Sequence, residues 1–133
     1  MRKIAGVLAG TAVLIAVAAT PAYAVDWPNW PGEVENSAGS QGHFQSNGDY
    51  IGTKDWAFDN KSAVTLWETD YGRTGECVDS TGAQDGVKAC NYDMKESGHI
   101  RIKVCHRNYS TGSGYTTCSS WSQWLSIRDG GPK

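Results

Sequence analysis

His99, Arg101, Lys103 and Arg107 stand at alternate positions of the run His99-Ile-Arg-Ile-Lys-Val-Cys-His-Arg107, and a period of two puts all four on one face of a β-strand. Such a stripe has the charge to hold a phosphate. With His99 as acid and Glu68 or Glu76 as base it contains the residue types of a small secreted ribonuclease. General acid and base must converge on one scissile group, however, and a stripe on a single strand does not bring a carboxylate to that point. A solvated basic face, offset by acidic residues elsewhere, is the simpler account. Serine nucleophiles have less support still: no Gly-x-Ser-x-Gly unit occurs, and the serines cluster in loops whose composition already explains them. No catalytic residue is assigned.

His99, Cys105, His106 and Cys118 are also the residue types that zinc prefers. No Cys-x-x-Cys or His-x₃-His spacing occurs among them, and a regular strand turns His99 and Cys105 away from His106. Asp79 and Asp85 bracket a glycine-containing loop, but their spacing is not that of an EF-hand. No metal and no cofactor are expected. The four cysteines read instead as two disulfides. Cys77 and Cys90 are 13 apart around a loop near Ala83, and Cys105 and Cys118 are 13 apart around a loop near Thr111. Each pair is expected to face across its own hairpin, giving Cys77–Cys90 and Cys105–Cys118 among the three possible connectivities. In the chain-entropy model each closure is worth roughly 3 kcal/mol.

Trp121-Ser-Gln-Trp124 repeats an indole at a spacing of three, beside the strand that carries Arg101, Lys103 and Arg107. The motif resembles the Trp-Ser-x-Trp element of cytokine-receptor-type sandwiches, in which guanidinium groups stack between indoles. The resemblance implies a cation–π ladder, worth about 0.5–1 kcal/mol per exposed contact, with a structural role first. The same aromatic and basic patch has the chemistry to bind a protein or a glycan, although nothing in the sequence specifically supports a glycan.

Those residues need a scaffold, and the chain supplies strands only. His43–Ser46 and Asp49–Gly52 flank Asn47-Gly48, the dipeptide of a type I′ hairpin. Lys54–Lys61 carries Trp56 and Phe58 at strand spacing, and Ala63–Thr69 is β-branched and aromatic. Further short strands are expected near Glu76–Asp79, Val87–Tyr92, His99–Arg107 and Tyr115–Ile127, separated by loops rich in Gly, Ser, Asn and Asp. The result is an all-β fold: a small disulfide-bonded antiparallel β-sandwich of about seven strands with an extended N-terminal arm.

Met1-Arg-Lys, the apolar run Ile4–Ala19 and the small-x-small site Ala22-Tyr-Ala24 read as a secretory signal peptide over residues 1–24, and the apolar run is short for a membrane span. Removing Arg2 and Lys3 takes the formal charge from −2 to −4, which argues against nucleic acid or an anionic membrane as the main partner. The expected organisation is then an arm and linker over 25–42, the sandwich over 43–128, and a tail over 129–133. The arm opens with Val25-Asp-Trp-Pro-Asn-Trp-Pro31, where two prolines block a ladder and two indoles lack apolar neighbours. Trp27, Pro28, Trp30 and Pro31 are the candidate partner-binding residues, since exposed aromatic anchors bind efficiently.

The leader, the acidic Trp-Pro arm and the core Cys-Val-Asp-Ser-Thr…Asp-Gly-Val…Cys…Ile-Lys-Val-Cys…Cys together resemble small exported β-proteins of filamentous actinobacteria. Among these the layout is similar to the adaptor subunit of umbrella toxin particles. That resemblance implies a secreted, non-catalytic adaptor that links a lectin subunit to the scaffold of an extracellular antibacterial toxin, its arm inserting into a partner cleft. The partners expected are other secreted proteins, with neither nucleic acid nor, once the leader is removed, membrane. Two alternatives stand beside it: a secreted protease inhibitor or small antimicrobial protein presenting the loop Asn108–Gly114, where preorganisation reduces the entropy lost on binding, and the ribonuclease described above.

Overall fold

The computed structural model describes residues 33–57, 59–80, 86–108 and 114–133. Among these residues the chain forms nine strands: β1 (Val34–Glu35), β2 (Ser40–Gln45), β3 (Tyr50–Asp55), β4 (Lys61–Thr69), β5 (Thr74–Asp79), β6 (Lys88–Asn91), β7 (His99–Asn108), β8 (Tyr115–Thr116) and β9 (Leu125–Ser126). One antiparallel sheet has the order β1-β2-β3-β6. The other has the order β5-β4-β7-β8, with β9 pairing a further part of β7. The sheets pack face to face, β2 and β3 lying over β4, β5 and β7. No helix is present among the described residues, so none is long and apolar enough to cross a membrane.

The all-β sandwich is as expected, but its boundaries and strand count differ. The described sheets begin at Val34, inside the stretch expected to be arm and linker, because Val34 and Glu35 pair with Gly42 and Gln41. At the other end residues 129–133 are part of the fold rather than a tail: Lys133 N–H donates to the Trp124 carbonyl at 2.9 Å, and Pro132 bridges Leu125. Nine strands replace about seven in part because Tyr115–Ile127 is not one strand. It contains two two-residue strands with an irregular segment between them.

The Asn47-Gly48 hairpin also forms differently. Gln45 pairs with Tyr50, leaving a four-residue loop over Ser46–Asp49 in which Asp49 N–H donates to the Ser46 carbonyl. Positive φ falls at Gly48 and Asp49 (88° and 53°) rather than at Asn47 and Gly48. Gly48 thus occupies the third turn position, where a type II turn needs glycine. The shift has a tertiary cause. Asp49 is buried and its carboxylate accepts the Met94 N–H at 2.9 Å, while its carbonyl accepts the Tyr92 N–H at 3.0 Å.

The sandwich interior divides along the strands into an apolar half and a polar half. Phe44, Ile51, Trp67, Ile100, Ile102, Leu125, Ile127 and Met94 form the apolar cluster, against which Tyr92 and Val34 pack. Each such side chain contributes about 1.5–3 kcal/mol on full burial. Trp67 lies 4.8 Å from the Tyr92 ring and occupies the space left by Gly75, its partner on β5. Toward the other end the buried groups are Ser40, Thr53, Asp55, Thr65, Asp79 and His106. The two threonines satisfy one another between sheets: Thr53 Oγ1 lies 2.7 Å from Thr65 Oγ1 and 2.9 Å from the Cys77 carbonyl, and Thr65 Oγ1 lies 3.2 Å from the Gly52 carbonyl. Two hydroxyl protons therefore serve three contacts.

Both expected disulfides are present, Cys77–Cys90 and Cys105–Cys118. The first does not cross a hairpin. Cys77 lies on β5 and Cys90 on β6, strands of different sheets, so this bridge fastens one edge of the sandwich shut. The second joins β7 to the segment just after β8, the hairpin arrangement the spacing suggested.

Candidate functional site

The outer edge of β7 is covered by a chain segment that advances three residues for every two of the strand. Thr116 pairs with His106 and Leu125 with Ile100. Between them, Ser119 N–H donates to the Val104 carbonyl and Ser122 N–H to the Ile102 carbonyl, both at 2.8 Å. The serine hydroxyls complete the exchange by accepting the N–H groups of Val104 and Ile102, both at 3.0 Å. Two strand residues span about 6.8 Å, whereas one extended polyproline II turn spans about 9.3 Å. The segment is thus coiled more tightly than an extended chain.

The same three-against-two rhythm stacks side chains over the outward face of β7. Tyr115 meets Arg107, Cys118 is bonded to Cys105, Trp121 lies over Lys103 with Nζ 4.7 Å from its ring centroid, and Trp124 lies over Arg101. Arg101 Cζ is 4.8 Å from both the Trp121 and Trp124 ring centroids. Arg101 also donates from Nε to Glu68 Oε1 at 2.6 Å, which orients the guanidinium between the indoles. Of the five patch residues expected, Arg101, Lys103, Trp121 and Trp124 come together. Arg107 instead donates to Glu76 Oε1 at 3.2 Å, and the Tyr115 hydroxyl donates to Glu76 Oε2 at 2.5 Å. That bond, with partial burial, raises the Tyr115 pKa and keeps its phenol protonated.

Beside this ladder a groove of about 350 Å³ opens on the outer face of β4 and β5. The backbone of the two strands makes its floor, Leu66, Glu68, Thr74 and Glu76 project from it, and Tyr115 and Trp121 stand at its sides. Both carboxylates are held by guanidinium groups, Glu68 by Arg101 and Glu76 by Arg107.

The stripe His99, Arg101, Lys103 and Arg107 does share one face, but its members go to different partners. His99 Nδ1 lies 2.8 Å from Asp70 Oδ2, and His99 N–H donates to Asp70 Oδ1 at 2.9 Å. The backbone N–H first, and then the imidazole, hold the Asp70 carboxyl below its ordinary range. His99 is therefore paired with Asp70, and neither Glu68 nor Glu76 is its partner. The zinc arrangement is likewise divided: both cysteines are in a disulfide and His106 points to the interior. No group of three metal-ligating side chains is found among the described residues. Asp79 is buried at the end of β5, where a carboxylate oxygen accepts the Asp55 N–H at 3.2 Å. Asp85 lies outside the described residues, as do Trp27, Pro28, Trp30, Pro31 and most of the loop Asn108–Gly114.

One constellation was not visible in the sequence. Ser40 Oγ makes a short hydrogen bond to His106 Nε2, and His106 Nδ1 lies 3.3 Å from Asp59 Oδ2. The order Ser–His–Asp is that of a hydrolase triad. Ser40 and His106 are both 0% exposed, however, so no acyl group reaches the hydroxyl without parting the sheets. Asp55 nearby has its carboxyl raised above the ordinary range, chiefly by burial, and its Oδ2 finds no hydrogen-bond partner among the described residues. This network joins the sheets at their polar end.

Comparison of the chain with protein-family models, with curated proteins and with solved structures yields no match.

Proposed function

We propose that the protein is an extracellular, non-catalytic interaction module. The supporting observation is the outer face of the five-stranded sheet. There the groups with acid–base potential are tied to one another, His99 to Asp70, Glu68 to Arg101 and Glu76 to Arg107 and Tyr115. At the same place an aromatic and cationic surface is locked in one geometry by stacking. A rigid surface of this kind favours recognition, because little side-chain freedom is lost on binding. Two disulfides in so small a domain fit an oxidising environment.

The more specific form of this reading is the adaptor suggested by resemblance, in which Trp27, Pro28, Trp30 and Pro31 engage a cleft on another secreted protein. Affinity capture from culture supernatant tests it, comparing the wild type with Trp27→Ala/Trp30→Ala. The double variant is expected to lose its partners, and recovery of the same partners would remove the arm from the account. Purified protein is expected to leave RNA intact; cleavage that disappears with His99→Ala would replace the module with the hydrolase.

A further inference from the structure

We infer that the groove between β4, β5 and Trp121 is a binding site for a neutral saccharide unit. Its size sets the first limit. At about 350 Å³ it lies at the lower end of the range for small-ligand sites, which suits one or two sugar rings better than a helix or a protein patch.

The polar groups set the second limit. Glu68 and Glu76 are held by Arg101 and Arg107, and their carboxylate oxygens are hydrogen-bond acceptors. The Tyr115 hydroxyl spends its proton on Glu76 and presents lone pairs as well. Thr74 adds a hydroxyl from an exposed position. The groove is therefore rich in acceptors and asks for a ligand rich in donors. Cations, amides and hydroxyls supply donors, and an amide N–H brings a carbonyl acceptor with it, whereas vicinal hydroxyls bring several donors at close spacing. The guanidinium partners cancel the carboxylate charges pair by pair and Lys103 adds a positive charge beside Trp121, so no net field draws a cation, while an anion would meet the two carboxylates that project into the groove. Vicinal hydroxyls fit best: each donates to a carboxylate oxygen, and one of them also accepts from Thr74. Leu66 and the Tyr115 ring give the C–H face of a pyranose ring its apolar contact, and Trp121, whose ring already meets Arg101 and Lys103, bounds the groove at its side.

The acceptors are also preorganised. Arg107 and Tyr115 hold Glu76 from two directions, and Arg101, itself clamped by two indoles, holds Glu68.

Backbone-amide NMR titration of the chain from Val25 onward, with maltose, cellobiose, lactose and N,N′-diacetylchitobiose as probes, tests the inference; choline and glucuronate serve as charged controls. At least one disaccharide is expected to shift the amides of Leu66, Glu68, Thr74, Glu76 and Tyr115. Thr74→Arg, which fills the groove from an exposed position, is expected to weaken binding by about tenfold or more. Tyr115→Phe, which frees Glu76 without filling space, is expected to weaken it by a smaller factor while leaving the spectrum dispersed. The inference is overturned if no disaccharide moves these signals, if choline or glucuronate moves them instead, or if both variants bind as the wild type does. None of these outcomes bears on partner capture by the arm, so the two readings fail separately.

Discussion

Replacing Arg101 by alanine removes the central rung of the ladder, and its cost can be worked from three contacts. Two are cation–π contacts at 4.8 Å to Trp121 and Trp124, each worth about 0.5–1 kcal/mol at exposed sites. The third is the Glu68 ion pair. Its side chains are 33% and 30% exposed, so solvent screening holds its worth to roughly 0.2–1 kcal/mol. Arg101→Ala is therefore expected to destabilise the domain by about 1–3 kcal/mol. In urea titration followed by tryptophan fluorescence, that appears as a midpoint lowered by on the order of 1 M at unchanged slope. Arg101→Lys keeps the charge but not the planar fork that stacks on both indoles, and is expected to recover less than half of the loss. Glu68→Gln isolates the ion pair and is expected to cost less than Arg101→Ala. An Arg101→Ala midpoint equal to that of the wild type would refute the reasoning. So would a double-mutant cycle between Arg101 and Trp121 with no coupling, since the stacked geometry would then carry no energy.

Gly75→Ala would place a methyl 2.4 Å from Cζ2 of the buried Trp67 indole, and is expected to cost about 1–3 kcal/mol in thermal or chemical denaturation. Removing Cys77–Cys90 by paired alanines is expected to cost about 2–4 kcal/mol and to speed amide exchange in β6 above all, because that bridge ties β6 to the opposite sheet. Exchange in β6 equal to that in a Cys105→Ala/Cys118→Ala protein would contradict the inter-sheet role. Ser40→Ala leaves a nitrogen of fully buried His106 without its partner, at a cost of about 1–3 kcal/mol read from the unfolding midpoint. Asp55 has its folded pKa raised by burial, so its protonated form favours folding below the unfolded value of about 3.9, and that stability is lost as pH rises through the folded pKa. Asp55→Asn is accordingly expected to gain on the wild type across that window. A stability difference that stays constant with pH would overturn the assignment.

The sandwich was legible because its longest strand announces itself: Ile100, Ile102 and Val104 alternate with Arg101 and Lys103, and each set lies on the expected face. The connectivity of the cysteines was legible too, but its reason was not. Equal spacings suggested two hairpins, whereas Cys77 reaches across to the other sheet, a relation fixed by strand order and not by separation along the chain. The Asn47-Gly48 turn shifted because the Asp49 carboxylate is claimed by Met94, far along the sequence. The Ser40–His106 contact spans 66 positions, and no local pattern marks it. Tyr115, Cys118, Trp121 and Trp124 carry a visible period of three. Their composition suits a strand equally well, and only the pairing of Ser119 and Ser122 with β7 decides between the two.

That period has a consequence for how the sheet ends. A further regular strand laid along β7 would have satisfied its edge and then offered a fresh row of donors and acceptors to any passing chain. The segment between β8 and β9 instead bonds β7 through Ser119 and Ser122, one residue in three, with each hydroxyl taking the β7 N–H that a strand carbonyl would have taken. Between β8 and β9 two serine hydroxyls act as the selvedge of the five-stranded sheet, and beyond β9 Pro132 bridges Leu125.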